Sequence, residues 1–279
     1  MENLTNEKII ELKKIANDIR KSIVEMLFEA GSGHTAGALG MTDIFTLLYF
    51  GVLKHDPKNP LWIHRDRLIL SNGHICPVLY ATMAHAGYFP IEELKTLRKF
   101  GSRLQGHPHR EFLPFMETSS GPVGEGLSQA VGMAIASKID NKMDANNIFC
   151  ITGDGELDEG QNWEAIMLAS KEKLSNLIVI VDRNKIQIDG TTEKVMPLDS
   201  LKNKFESFNW FVKEIDGNNF TEINNAIYQI KNKNKDMPSV IIANTIPGKG
   251  VKEWESDYHW HGKAPNKAEA EMALKELNN

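Results

Sequence analysis

The sequence is short of cysteine: Cys76 and Cys150 are the two thiols in 279 residues, each beside an isoleucine. They read as buried free thiols, and a chain of this length needs neither disulfides nor a structural metal to hold a core. No apolar run is long enough to span a bilayer. The opening MENLTNEKII lacks the apolar core and small-residue cleavage site of a secretory signal, so a cytoplasmic location is expected. A basic excess is absent too. Lys and Arg number 32 against 37 Asp and Glu, a formal net charge of −5, so nucleic acid is not an expected partner. Internal repeats and low-complexity tracts do not occur.

What is present is alternation. Apolar residues at helical spacing (Ile9, Leu12, Ile15, Ile19, Ile23, Met26, Leu27) predict an N-terminal helix over about 5–30, capped by Asn6 or Thr5 and ended by Gly31. A second helix is expected from Thr42 to Phe50. Short apolar runs at Arg67–Leu70, Ile148–Thr152, Leu177–Asp182, Phe211–Ile215 and Val240–Asn244 read as strands. Helical stretches separate them, at about Ile75–Ala86, Glu125–Ile139, Asn162–Lys173 and Thr221–Lys233. The Lys231–Lys235 cluster reads as a solvated helix end. An amphipathic helix over about 267–277 follows Pro265. The fold class is therefore α/β, a doubly wound, mostly parallel sheet with helices on both faces, with residues 1–279 as one domain. In such sheets ligands bind beyond the carboxyl ends of the strands.

The stretch Gly153-Asp154-Gly155-Glu156-Leu157-Asp158-Glu159-Gly160 follows an apolar strand and precedes a helix, a junction suited to phosphates. Its glycine spacing is not that of a dinucleotide loop, and four carboxylates would repel a bare diphosphate. Unit charges about 4 Å apart interact by roughly 4 kcal/mol at an effective dielectric near 20. A divalent cation on Asp154 reverses that sign, and Mg²⁺ favours one or two carboxylates plus phosphate oxygens. Read alone, the loop fits equally well an acidic surface turn with Asp158 as helix cap.

Asn184, 30 residues after Asp154, stands at the end of the next strand. Neighbouring strand ends in a parallel sheet lie side by side, so Asn184 can offer a neutral oxygen to the same ion, and the carbonyl of Ile186 a third. Four histidines adjoin glycine in loop-like settings, His34, His74, His107 and His261. Glycine admits a ligand close to the backbone, and histidine exchanges protons near neutral pH. His55, His64, His85, His109 and His259 read as surface or local structure.

The Gly-Asp-Gly loop paired with Asn184 resembles the thiamine-diphosphate motif, and the run GDGELDEGQNWEAIMLAS resembles the transketolase family. Ser32-Gly33-His34, Ser71-Asn72-Gly73-His74, Gly106-His107-Pro108, His261-Gly262 and Ser120-Gly121-Pro122-Val123-Gly124 are similar to segments of the same family. The resemblance implies a thiamine-diphosphate-binding fold. Asp154, Asn184 and the Ile186 carbonyl would hold Mg²⁺, with Ca²⁺ or Mn²⁺ as substitutes. Gly153, Gly155, His74 and His261 would meet the cofactor, with Gly121 and Val123 against its rings. Glu159 would join a carboxylate network at a subunit contact. His34 and His261 are the implied proton-transfer residues at the donor's C3 hydroxyl, and His107 the holder of its C1 hydroxyl. Family members have a His-Pro-Gly segment where this chain has His34-Thr35-Ala36-Gly37, and Leu and Gln where it has Val123 and Glu125.

The resemblance covers the first of three transketolase domains. It implies a two-carbon ketol transfer between sugars, those of the pentose phosphate pathway in the first place. It also implies a separate C-terminal subunit carrying the pyrimidine-binding domain, within a heterotetramer. A specialised split enzyme for sulfonated or branched sugars is an alternative, as is the α subunit of a 2-oxoacid dehydrogenase. A nucleotide-binding dehydrogenase is disfavoured because Asp154 blocks direct pyrophosphate contact, and a non-catalytic scaffold because metal ligands and histidines all match.

Overall fold

The computed structural model describes residues 4–140, 146–232 and 236–278. Five parallel strands form the main sheet: β1 (Arg67–Leu70), β2 (Ile148–Gly153), β3 (Leu177–Arg183), β6 (Phe211–Asp216) and β7 (Ser239–Asn244). A two-stranded antiparallel hairpin, β4 (Ile186–Gln187) and β5 (Gly190–Thr191), follows β3. The sheet order is β1-β2-β3-β7-β6. All five expected strands are present, most extended by a residue.

The central strands are apolar throughout because both their faces are covered, and successive side chains point to opposite sides. On β2, Phe149 and Ile151 enter one core while Ile148 and Cys150 enter the other. β3 divides in the same way, Ile178 and Ile180 against Leu177, Val179 and Val181. The first core is closed by α1 (Asn6–Ala30), α2 (Ala36–Gly40), α3 (Thr42–Leu47), α4 (Cys76–His85), α9 (Phe220–Asn232) and α10 (Lys267–Leu277). The second is closed by α5 (Glu125–Asp140), α6 (Gly160–Lys171) and α8 (Leu201–Ser207). The short α7 (Thr192–Val195) follows the hairpin. Both thiols are buried and free.

Thr5 caps α1 through its side chain, and Gly31, at φ 64°, ends it in the left-handed conformation that glycine adopts without strain. The helix expected from Thr42 to Phe50 differs. It is α-helical only to Leu47, then widens into a π-turn over Leu48–Val52 in which Leu53 N–H bonds the carbonyl of Leu48, five residues back. Just before it, Gly40 packs against the Ile246 carbonyl, 2.9 Å from where a Cβ would stand. Lys233, at the expected end of α9, and residues 233–235 of the Lys/Asn cluster lie outside the described residues. Among the described residues no helix is long and apolar enough to cross a membrane.

The carboxyl ends of β1, β2, β3 and β7 are neighbours. Asn72, Asp154, Asn184 and Thr245 follow them within two residues, and this edge carries the site.

Candidate active site

Beyond these strand ends lies a cleft of about 260 Å³. Asn72, His74, Val123, Gly153, Asp154, Gly155, Asn184, Ile186, Ile188 and His261 are among its lining residues. The sheet register places the two key loops together: Gly153 pairs with Asp182, and Asp154 N–H bonds the Asp182 carbonyl at 3.1 Å. Asp154 Oδ2 accepts from Lys185 N–H at 2.8 Å and from Arg183 Nη1 at 3.1 Å, while Oδ1 accepts from Gly155 N–H at 2.8 Å. Asn184 bridges its own loop, its amide donating to Asp182 Oδ2 at 2.8 Å and its Oδ1 accepting from Ile186 N–H at 3.0 Å.

The four carboxylates of the Asp154–Glu159 loop do not act together, which corrects the electrostatic picture drawn from the sequence. Glu156 turns inward. Its Oε1 accepts from Ser71 Oγ at 2.5 Å and Gly124 N–H at 2.6 Å, and its Oε2 accepts from Gly153 N–H at 2.9 Å. It thus clamps the Ser120–Ser128 turn to the strand ends of β1 and β2. Asp158 and Glu159 are exposed. Asp158 accepts from Gln187 at 3.2 Å and does not cap α6, whose cap position is Glu159 with no side-chain bond. Of the loop's four carboxylates, Asp154 and Glu156 line the cleft, and Asp158 and Glu159 do not.

A second carboxylate comes from β3, and nothing in the motif spacing singled it out. Asp182 is buried, accepts from Thr245 Oγ1 and from Asn184, and is pushed up to about 7 by burial, with Asp154 nearby adding to the rise. Burial likewise raises Asp154 to about 6, against the pull of the Lys185 N–H and Arg183. Arg183, almost fully buried, offsets this negative charge and also reaches Glu193 and Asp199. A charged pair closing an otherwise apolar strand is the sequence signal for both residues. Asn72, in sequence only one member of a Ser-Asn-Gly-His run, also belongs to the cleft. It is 1% exposed, and its Oδ1 has no partner among the described residues.

Three of the four glycine-flanked histidines form a triangle. Ring centroids lie 5.0 Å apart for His34–His74, 5.2 Å for His74–His261 and 5.6 Å for His34–His261. Burial lowers all three, His34 to about 4, with His261, Arg98 and His107 adding to the fall at His34. His107 is lowered by burial and by Arg98, and is close enough to depress His34 and His74. It makes no ring contact with the triangle and does not line the cleft. Gly121 and Glu159 also stand outside the lining. A Cβ on Gly124 would come within 2.8 Å of the Glu159 Cβ, so the two loops touch at the rim. The remaining five histidines stand outside the cleft lining: His55 bonds Tyr88 and Tyr49, His64 meets Trp62 edge to face, His85 bonds Ser22, His259 bonds Asp257, and His109 packs on Phe112.

Residues 11–278 match the family described as transketolase, thiamine diphosphate binding domain. The chain is 45% identical over 246 residues to the 6-deoxy-6-sulfo-D-fructose transketolase subunit SqwG of Clostridium sp. (strain MSTE9), covering 88% of each. It is 41% identical to one of the subunits of the apulose-4-phosphate transketolase of Actinobacillus succinogenes, covering 96% of each. Among solved structures, transketolase from Campylobacter jejuni superposes with a TM-score of 0.89 at 36% identity, over 96% of this chain and 42% of that one. The chain thus spans the subunit relatives nearly end to end but less than half of a full-length transketolase. It belongs to the transketolase family and corresponds to the N-terminal, thiamine-diphosphate-binding region.

Proposed function

We propose that residues 1–279 form a single diphosphate-binding domain, the N-terminal subunit of a two-subunit transketolase. The complex would move a two-carbon ketol unit from a ketose donor to an aldose acceptor. The observation that carries this is the common cleft of Asp154, Asn184 and Ile186 with His74 and His261. Asp154, Asn184 and the Ile186 carbonyl are a hard, all-oxygen set with one carboxylate, which suits Mg²⁺ completed by phosphate oxygens. The unpartnered Asn72 Oδ1 in the same cleft also fits a polar ligand. Gly153, Gly155 and His74 would hold the diphosphate, and Gly121 and Val123 the rings. When bound, thiamine diphosphate supplies the carbanion chemistry that breaks and makes the carbon–carbon bond.

The chain's own residues bind, orient and move protons. Burial keeps His34, His74 and His261 below the ordinary imidazole range, so near pH 7 they are neutral and able to accept. His34 and His261 would exchange the proton of the donor's C3 hydroxyl, and His107 would hold the C1 hydroxyl. Glu159, exposed at the rim, is free to meet a carboxylate of a partner.

The partner is a C-terminal transketolase subunit carrying the pyrimidine-binding domain, in a cytoplasmic heterotetramer. Support comes from the relatives named as subunits, which this chain matches over 88% and 96% of their length. The same names favour a specialised substrate, a sulfonated or branched sugar, over the ordinary pentose phosphates. The test is to mix the chain with its co-purified partner, thiamine diphosphate and Mg²⁺. Ketose phosphates, a sulfonated ketose and a branched ketose phosphate are the donors, with a 2-oxoacid as control. Ketol transfer that needs both subunits is expected. Turnover of the 2-oxoacid, or no gain on mixing, refutes the reading.

A further inference from the structure

Thr35 sits at the N-cap of α2, where a threonine hydroxyl ordinarily accepts from a backbone N–H two or three residues on. No such bond forms here. The hydroxyl instead donates to the Lys263 carbonyl at 2.5 Å, across 228 residues of sequence, and Thr35 is fully buried. A local capping interaction has been given up for a tertiary one. That bond joins the loop bearing His34 to the loop bearing His261.

Each loop also has an anchorage of its own. Lys263 is held by its side chain, with Nζ 2.5 Å from Glu269 Oε1 and 3.9 Å from the Trp260 ring centre. Glu269 closes the capping box of α10, and Trp260 stacks on Trp254 at 4.0 Å. On the other side, the Ala36 carbonyl accepts from Gly248 N–H at 2.8 Å. Between these anchorages the His34 and His261 rings meet edge to face, 5.6 Å apart. The fit is close, for a Cβ on Gly262 would lie 3.9 Å from His34 Nε2.

We propose that Thr35 is a positioning residue whose hydroxyl latches the two histidine-bearing loops together and so sets the separation and tilt of the His34–His261 pair that meets the donor sugar. This rests on the ketol-transfer reading above. Losing a neutral hydrogen bond costs about tenfold, and misplacing a reacting group by about 1 Å costs about a hundredfold.

The experiment compares Thr35→Val, which keeps the shape and loses the hydroxyl, with Thr35→Ser, which keeps the hydroxyl. Both are made in the full chain and assayed with the C-terminal subunit. The valine variant is expected to lose about 10- to 100-fold in kcat/KM for the donor while binding thiamine diphosphate normally by calorimetry. The serine variant should behave as wild type. Nuclear magnetic resonance of the imidazoles supplies a readout independent of turnover. The His34 titration, near pH 4 in wild type, should move toward its ordinary range in the valine variant as the loops part and water enters. A valine variant with wild-type kcat/KM and an unmoved His34 titration overturns the latch, as does a loss of cofactor affinity equal to the loss of activity. If wild type itself transfers no ketol unit, the functional reading fails, and the titration alone decides the latch.

Discussion

Arg183 Nη1 stands 3.1 Å from Asp154 Oδ2, and both side chains are almost wholly buried. The same guanidinium reaches the exposed Glu193 and Asp199 on its other nitrogen, so a single cation serves three carboxylates. It lets Asp154 stay near Asp182 in a setting that burial alone would make unfavourable to both charges.

Removing that cation should be severe. Arg183→Met keeps much of the volume and leaves the buried Asp154 without its cation, so a loss of about 3–5 kcal/mol is expected from urea unfolding. A loss below about 1 kcal/mol would mean that the pair is screened by water and that the burial argument fails.

Ligand removal reads the cleft directly. Asp154→Ala and Asn184→Ala should each abolish the Mg²⁺-dependent part of thiamine diphosphate binding, measured by titration calorimetry with and without chelator. Binding that persists unchanged in both variants removes these residues from the metal set.

The clamp made by Glu156 predicts a structural effect. Glu156→Ala strips acceptors from Ser71 and from the buried N–H groups of Gly124 and Gly153. A loss of about 3 kcal/mol or more in denaturant unfolding is expected, since an unsatisfied buried donor costs about 1–3 kcal/mol. Gly126→Ala should also destabilise, by about 1–3 kcal/mol, because its new Cβ would stand 2.6 Å from the Ser71 Cα. Melting temperatures equal to wild type in both variants would contradict the clamp.

The histidine triangle predicts a pH dependence of definite sign. The folded pKa of His34, about 4, lies below the ordinary imidazole value of 6.5. Between those limits the unfolded chain binds the proton that the folded chain refuses, so His34's contribution is complete above about 6.5 and is lost as pH falls toward 4. Asp154 and Asp182, raised to about 6 and about 7, act in the opposite sense, favouring the fold at lower pH. Comparison with His34→Gln isolates the first effect. Wild type should lose more stability than the variant between pH 7 and pH 5, and parallel curves would rule out a neutral buried imidazole.

The strands were readable because both their faces are buried, and Ile148–Thr152 and Leu177–Asp182 needed no periodicity argument beyond a continuous apolar run. Their adjacency made Asp154 and Asn184 a natural pair before any coordinates. The inward turn of Glu156 was not readable, since its partners Ser71, Gly124 and Gly153 come from three separated segments. It therefore looked like one more surface charge in an acidic loop. Asp182 and Arg183 close an apolar strand, yet sequence cannot say that Thr245, from the end of β7, meets the first while Asp154, Glu193 and Asp199 meet the second. The π-turn after Leu47 escaped because nothing in the run Leu48-Tyr49-Phe50-Gly51-Val52 signals i to i+5 bonding.

The parallel register of the central strands has a consequence for the distance between Asp154 and Asn184. A slip of one residue between β2 and β3 would carry one loop about 3.3 Å past the other and turn every apolar side chain of that strand toward the wrong layer. The oily contacts of Phe149, Ile151, Ile178 and Ile180 therefore act as a ruler. They fix the register that sets where Asp154 stands relative to Asn184, although they lie in the core beneath the cleft.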